Sequence, residues 1–109
     1  MAVFVDDMEL RADVPNGNRV VRGTWSHMIA DSHDELMAMA GRIGLRPEWI
    51  QFPDTPDEHF DLTLSKKRAA IAAGAVPITW LELGRKVLAR KRAARRPDNH
   101  GPSRGVDDR

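Results

Sequence analysis

The sequence predicts an α/β fold: a small, mostly parallel sheet of about four strands with three helices packed on it. Three observations carry this reading. Strand-like and helix-like patterns alternate along the chain in the order strand, strand, helix, strand, helix, strand, helix. Two capping-box patterns and two well-placed glycines mark where helices begin and end. The 109 residues, 41% of them apolar and spread along most of the chain, are enough for one packed core and too few for two catalytic domains.

Ala2-Val3-Phe4-Val5 is a short apolar run that ends in Asp6-Asp7, as a strand would that delivers acids into a loop. Pro15-Asn16-Gly17-Asn18 marks a turn. From Arg19 to Ala30 the β-branched and aromatic residues predict one or two strands, with Gly23 as a bulge or bend. Ser32 and Glu35 form a capping box, and Leu36, Met39, Ala40 and Ile43 then share a helical stripe that Gly44 and Leu45 close. Trp49, Ile50 and Phe52 form a short extended piece before the acidic, proline-rich loop Pro53-Asp54-Thr55-Pro56-Asp57.

His59 to Thr63 alternates polar and apolar like a strand, and Ser65 is the expected cap of a helix that runs through Ala73 to Gly74. Ala75 to Thr79 reads as a further short strand. Thr79 and Glu82 form the second capping box, opening a helix whose stripe is Trp80, Leu83, Val87 and Leu88. Past Leu88 that stripe offers only alanines, so the helix is expected to leave the core there and to end before Pro97. The division expected is a single α/β domain over 1–84, a basic C-terminal helix extension over 85–96 and a disordered tail over 97–109.

Composition removes several chemistries. Without cysteine there is no disulfide, thiolate nucleophile, iron–sulfur cluster or thiolate-bound zinc, so a metal would need His or carboxylate ligands. The N-terminus lacks the order of a signal peptide, and no apolar run approaches the roughly 20 residues that span a bilayer, so the expected setting is cytoplasmic, away from membranes. The net charge of +1 hides a split. Residues 1–84 carry 8 basic and 13 acidic side chains, whereas 85–96 carry 7 basic side chains and no acid. An anionic partner or self-association would both exploit that asymmetry.

Ligands of open α/β sheets bind beyond the carboxyl ends of the strands, which here hold Asp6, Asp7, Asp31, Thr63, Ser65 and Thr79. A sharper signal is Ser65-Lys66-Lys67-Arg68, which crowds three cations into the first turn of a helix. Each opposes the helix dipole by about 0.3–1 kcal/mol. A compensating anion is therefore expected, and free N–H groups with a serine hydroxyl already favour phosphate. Nearby acids such as Asp61 could equally neutralise these cations across a solvated surface.

His27, Asp31, His59 and Asp61 form a second constellation, with Asp6 as a further acid. Asp6, Asp31 and Asp61 are candidate ligands of Mg2+ or Mn2+, and His27, His59 and Asp61 are candidate catalytic groups. His59 and Asp61 share a strand face, so a simple hydrogen bond between them is the plainer alternative. His33 and His100 look incidental, and Trp25, Trp49 and Trp80 are expected as core or loop anchors. Arg85, Lys86, Arg90, Lys91, Arg92, Arg95 and Arg96 could contact nucleic acid or a protein partner, although they also complement a helix C-terminus.

Val3-Phe4-Val5-Asp6-Asp7, His27-Met28-Ile29-Ala30-Asp31, Glu35 to Ala40, His59-Phe60-Asp61 and Ser65-Lys66-Lys67-Arg68 with Gly74-Ala75-Val76 together resemble the domain of unknown function 4031 family, over roughly residues 2–82. These are small proteins of bacteriophages and bacteria. The resemblance implies a phage or prophage setting in a bacterial cytoplasm, and it offers no catalytic residue to carry over. Phe4, where tyrosine is common, and the basic C-terminal extension depart from the family's pattern. Residues 59–88 also resemble, more partially, the second half of a BRCT domain, which would imply a phosphate-gripping role for Lys66.

Three functions are compatible with these residues. The first is binding of a phosphate-bearing small molecule or nucleic acid by Ser65, Lys66, Lys67 and Arg68. The second is a divalent-metal-dependent phosphoesterase or nuclease built on the Asp/His cluster. The third is a host- or phage-protein interaction factor acting through the basic helix.

Overall fold

A computed structural model of the chain describes residues 2–8, 10–16 and 19–95, with side chains for 2–8 and 24–95. The expected tail over 97–109 and the Arg96 contact lie outside these residues. The elements are β1 (Val3–Val5), β2 (Leu10–Asn16), β3 (Arg19–Ala30), α1 (His33–Arg42), a 3₁₀ turn over Pro47–Trp49, β4 (Phe60–Thr63), α2 (Leu64–Ala72), β5 (Val76–Pro77) and α3 (Trp80–Arg95).

The α/β class and the three helices hold, but the sheet is mixed rather than mostly parallel. Only β1 and β5 are parallel, whereas β3 is antiparallel to β1, β2 and β4. The reason lies in β2, which sequence reading passed over. Its pairing with β3 runs from Leu10↔Trp25 to Asn16↔Arg19, so only two residues join the strands, and so short a link permits only antiparallel pairing. Gly23 pairs with Ala12 in unbroken register, so the expected bulge is absent there. Met28 pairs with both Val5 and Phe60, and Trp25 with both Leu10 and Thr63. A strand has two edges, so β1 and β2 follow one another along one edge of β3 and β4 takes the other.

Strand alternation then sorts the sheet into two faces. Val3, Val5, Met28, Ala30, Phe60 and Leu62 turn to one side, where they form the core with Leu36, Met39 and Ala40 of α1 and Ala70 of α2. Phe4, Asp6, His27, Ile29 and Asp61 turn to the other, toward α3.

Local chemistry sets the helix ends. At α1 the Glu35 N–H donates to Ser32 Oγ at 3.2 Å and the Ser32 hydroxyl returns to the Glu35 carboxylate at 2.9 Å. Gly44 at φ 82° lets Leu45 N–H reach back to the Ala40 carbonyl at 2.8 Å. At α2 the cap is Thr63, not Ser65: the strand runs straight into the helix, and Thr63 Oγ1 accepts from Lys66 N–H at 3.3 Å. Thr79 and Glu82 form the expected box at α3, and the Asp7 carboxylate accepts from Trp80 N–H at 2.8 Å.

None of the described side chains of α3 is buried. Trp25 is buried and Trp49 packs against the core as expected, but Trp80 is 50% exposed and anchors nothing inside. Nor does the helix leave the body past Leu88. Arg90 donates to the Ala30 carbonyl, and Lys91 pairs with Asp57 at 3.1 Å.

The loop before β4 is tied down at Glu58, whose buried carboxylate accepts from Asp54 N–H at 3.0 Å and meets His33 Nδ1 at 2.5 Å. This bond to Glu58 raises the His33 pKa; burial opposes it, and the charges of Glu58, Asp54 and Asp34 assist it. A raised folded pKa adds stability that is present below the ordinary value of about 6.5 and is lost as pH climbs through the folded value.

Two predictions come from these contacts. In urea titrations Thr63→Ala should cost about 1 kcal/mol while Ser65→Ala stays within about 0.5 kcal/mol; equal losses would return the cap to Ser65. The stability advantage of the parent over His33→Gln should be present near pH 6 and should shrink as pH rises above about 7. An advantage independent of pH would show that the His33–Glu58 pair carries no charge.

Candidate metal centre

The register of the sheet places three polar residues in one row. Val5 lies opposite Met28, so Asp6 lies opposite His27, and the Asp6 N–H donates to the His27 carbonyl at 3.0 Å. His27 in turn pairs across β3 and β4 with Asp61. His59, two residues before Asp61, shares its face and is held by a bridge to Gln51.

Asp6 is 1% exposed and fully engaged. Oδ1 accepts from His27 N–H at 2.9 Å and from Met8 N–H at 3.4 Å, and Oδ2 accepts from His27 Nδ1 at 2.8 Å. Burial pushes this carboxyl up, but the hydrogen bonds from the His27 ring and backbone, the ring's charge and the Met8 N–H outweigh it and hold it below its usual value.

With Nδ1–H given to Asp6, His27 keeps a lone pair on Nε2, which lies 3.9 Å from Asp61 Oδ1. His59 is arranged in the same sense by a different device. Its Nδ1 donates to the Asp57 carbonyl at 2.6 Å, leaving Nε2 at 3.5 Å from the same Asp61 oxygen. The two rings meet edge to face with centroids 5.3 Å apart. One ligand atom from each of His27, His59 and Asp61 lies within 4.8 Å of the others.

In the neutral form of both rings, two imidazole lone pairs and a carboxylate directed at one point would repel one another unless a cation sat between them. A proton is the smallest such cation. Burial lowers the His59 pKa, but the Asp61 hydrogen bond, the Asp57 carbonyl and the charges of both acids outweigh it and leave the pKa raised. A divalent ion is the other candidate. Bonds of about 2.0–2.1 Å in a tetrahedron put ligand atoms about 3.3 Å apart, close to the 3.5 and 3.9 Å that separate Asp61 Oδ1 from the two imidazole nitrogens. The outer partners, Asp6 on His27 and the Asp57 carbonyl on His59, are of the kind that orient metal-bound imidazoles.

Two hollows adjoin the cluster. A cleft of about 440 Å³ lies between the sheet face and α3, with Asp6, His27 and His59 in its lining. A smaller hollow of about 170 Å³ is lined by Asp61, Thr63 and Lys66 among others.

The structure brings together four of the residues singled out from sequence, Asp6, His27, His59 and Asp61, and leaves others apart. Asp31 is exposed and accepts from Ala2 N–H at 2.8 Å. Because β3 is antiparallel to β1, its carboxyl end lies at the amino end of β1, on the opposite rim from Asp6. The run from Ser65 to Arg68 does not converge either. Ser65 and Arg68 are exposed, Lys67 is buried, and Lys66 Nζ donates to the Ile43 carbonyl at 2.7 Å. That carbonyl belongs to the electronegative end of α1, so a helix C-terminus compensates the cation.

The basic helix also divides. Lys86 stands over the Phe4 ring at 4.1 Å, Arg90 reaches Ala30 and Lys91 reaches Asp57, while Arg85, Arg92 and Arg95 face solvent. Sequence reading missed two features. His33, taken as incidental, meets Asp54 and Glu58 in a second His/carboxylate group, and Asp57 orients His59 through its carbonyl. No signal marked the first, since 25 residues separate its partners. The second uses a backbone atom that side-chain patterns do not report.

The sequence profile of a family described as protein of unknown function (DUF4031) matches residues 3–93. The match runs through most of α3, so that helix, expected to be an extension peculiar to this chain, falls largely within the family's span. No curated protein and no solved structure matches the chain. With more than four fifths of its length inside the profile, the chain belongs to the DUF4031 family of proteins of unknown function.

Proposed function

We propose that the chain binds one divalent transition-metal ion through His27, His59 and Asp61 and acts as a metal-dependent phosphoesterase or nuclease. The observation that carries this reading is the convergence of the Asp61 carboxylate with two imidazoles, each of which has its Nδ1 side turned away and tied. Asp6 is the positioning residue for His27 rather than a ligand, since its oxygens already accept three N–H groups.

Two imidazoles and one carboxylate suit Zn2+ or Mn2+ better than Mg2+, which prefers an all-oxygen shell and keeps its waters. When bound, such an ion would lower the pKa of a coordinated water toward about 7 and draw charge from a phosphoryl oxygen.

Two features favour a phosphate-bearing substrate. Lys66 lines the hollow that Asp61 shares, and its ammonium has three donors, of which the Ile43 carbonyl takes one. The exposed Arg85, Arg92 and Arg95 raise the local concentration of anions. In this reading the phosphate sits beside Lys66 in the hollow rather than on the N–H groups that open α2.

Metal titration by calorimetry should find one equivalent of Zn2+ or Mn2+ in the parent. His59→Ala and Asp61→Ala should abolish that uptake, Asp6→Asn should weaken it about 10–100-fold, and Asp31→Ala should leave it unchanged. A folded parent that takes up neither ion refutes the site. Hydrolysis of bis(p-nitrophenyl) phosphate should require the metal and stop with a chelator, and Lys66→Met should reduce kcat/KM by at least about tenfold. Metal uptake without turnover of mono- or diester probes would leave a metal-binding protein and exclude the esterase.

A further inference from the structure

The cleft beneath α3 has a composition that metal and phosphate do not explain. Its floor is polar, with Asp6, His27 and His59, but most of its wall is apolar: Trp80, Leu83, Val87 and Leu88 from α3, Phe52 from the loop before β4, and Ile29 from β3. Trp80 is 50% exposed, Phe52 60% and Leu88 46%. These side chains face an open space where a packed helix would have closed on the sheet. An inorganic phosphate has no use for such a wall.

Resting on the metal reading above, we infer that this cleft is the subsite for the organic part of the substrate, and that the substrate is a mononucleotide: a phosphate ester carrying one flat aromatic base. Size and the aromatic lining support that choice. The volume of about 440 Å³ lies in the range of small-molecule sites, about 300–1,000 Å³. The helical wall is tied down at Trp80, whose N–H meets Asp7, and again at Lys91, which meets Asp57. Both tied residues line the cleft, so the wall is held at a fixed distance from the sheet, and a space of this volume suits one nucleotide rather than a continuing strand. Trp80 and Phe52 offer ring faces for a base, which stacks on aromatic side chains whatever its sequence identity.

The test uses the full chain, first titrated with Zn2+ and then, metal-loaded, with adenosine 5′-monophosphate, ribose 5-phosphate, inorganic phosphate and a single-stranded DNA decamer. Adenosine 5′-monophosphate should bind at least about tenfold tighter than ribose 5-phosphate or inorganic phosphate, and no weaker than the decamer. Trp80→Ala should erase the difference between the nucleotide and ribose 5-phosphate while zinc affinity stays at the parent value, and Leu88→Gln should reduce it. Equal affinities for the nucleotide and ribose 5-phosphate in the zinc-loaded parent overturn the base subsite. A decamer bound more tightly than the nucleotide overturns the choice of a mononucleotide. A parent that takes up no zinc fails at the first titration, which overturns the metal reading and the inference resting on it.

Discussion

The antiparallel lie of β3 between β1 and β4 is the constraint from which the site follows. Neighbouring strands are about 4.8 Å apart, so residues directly opposite on one face stand within hydrogen-bonding reach of each other's side chains. Asp6, His27 and Asp61 occupy such a row. The residues that alternate with them, Val5, Met28, Phe60 and Leu62, are fully or almost fully buried on the other face. A slip of one residue in any of these strands would turn apolar side chains to the cleft and carry acids or imidazole into the core. The packing of α1 and α2 on one face therefore fixes the polar geometry on the other, and the site needs no element of its own to hold it.

Within that frame Asp6 is a buried anion whose burial is offset by three N–H groups, two of them from His27. Removing those partners would leave a costly unpaired charge, so the carboxylate locks the ring in one tautomer and one orientation. The Asp57 carbonyl does the same for His59 without any charge. Asp61 is left as the acceptor that both rings face. With both rings neutral the three groups would face one another as acceptors, a repulsion that a cation relieves.

What the sequence made legible was local. The caps at Ser32 and Thr79 and the endings at Gly44 and Gly74 depend on residues three to five apart, and the structure reproduces them. Strand direction depends on contacts across the chain. β2 contains Asp13, Pro15 and Asn16, residues that strands disfavour, so it gave no strand signal, and its absence from the reading made the sheet look parallel. That error alone put Asp31 on the same rim as Asp6. His27, His59 and Asp61 could be singled out by type and alternation, whereas the role of Asp6 could not, because its partner is 21 residues away. The crowded cations at the start of α2 did report a real electrostatic need. For Lys66 the answer to it was the end of α1, a partner 23 residues back that no spacing rule identifies.

The attachment of α3 joins the cleft to the His27, His59 and Asp61 cluster. An amphipathic helix ordinarily closes on a sheet because burying its stripe gains roughly 25 cal/mol per Å². Here no member of the stripe Leu83, Val87 and Leu88 is fully buried, and polar or charged contacts help hold the helix: Trp80 N–H to Asp7, Lys86 over Phe4, Arg90 to the Ala30 carbonyl and Lys91 to Asp57. Such tethers set a distance without demanding that the space beneath be filled. The last of them joins the helix to the residue whose carbonyl orients His59. Asp57 thus faces both ways, with its carboxylate on Lys91 at the wall of the cleft and its carbonyl on the imidazole, so that α3 and His59 share one partner.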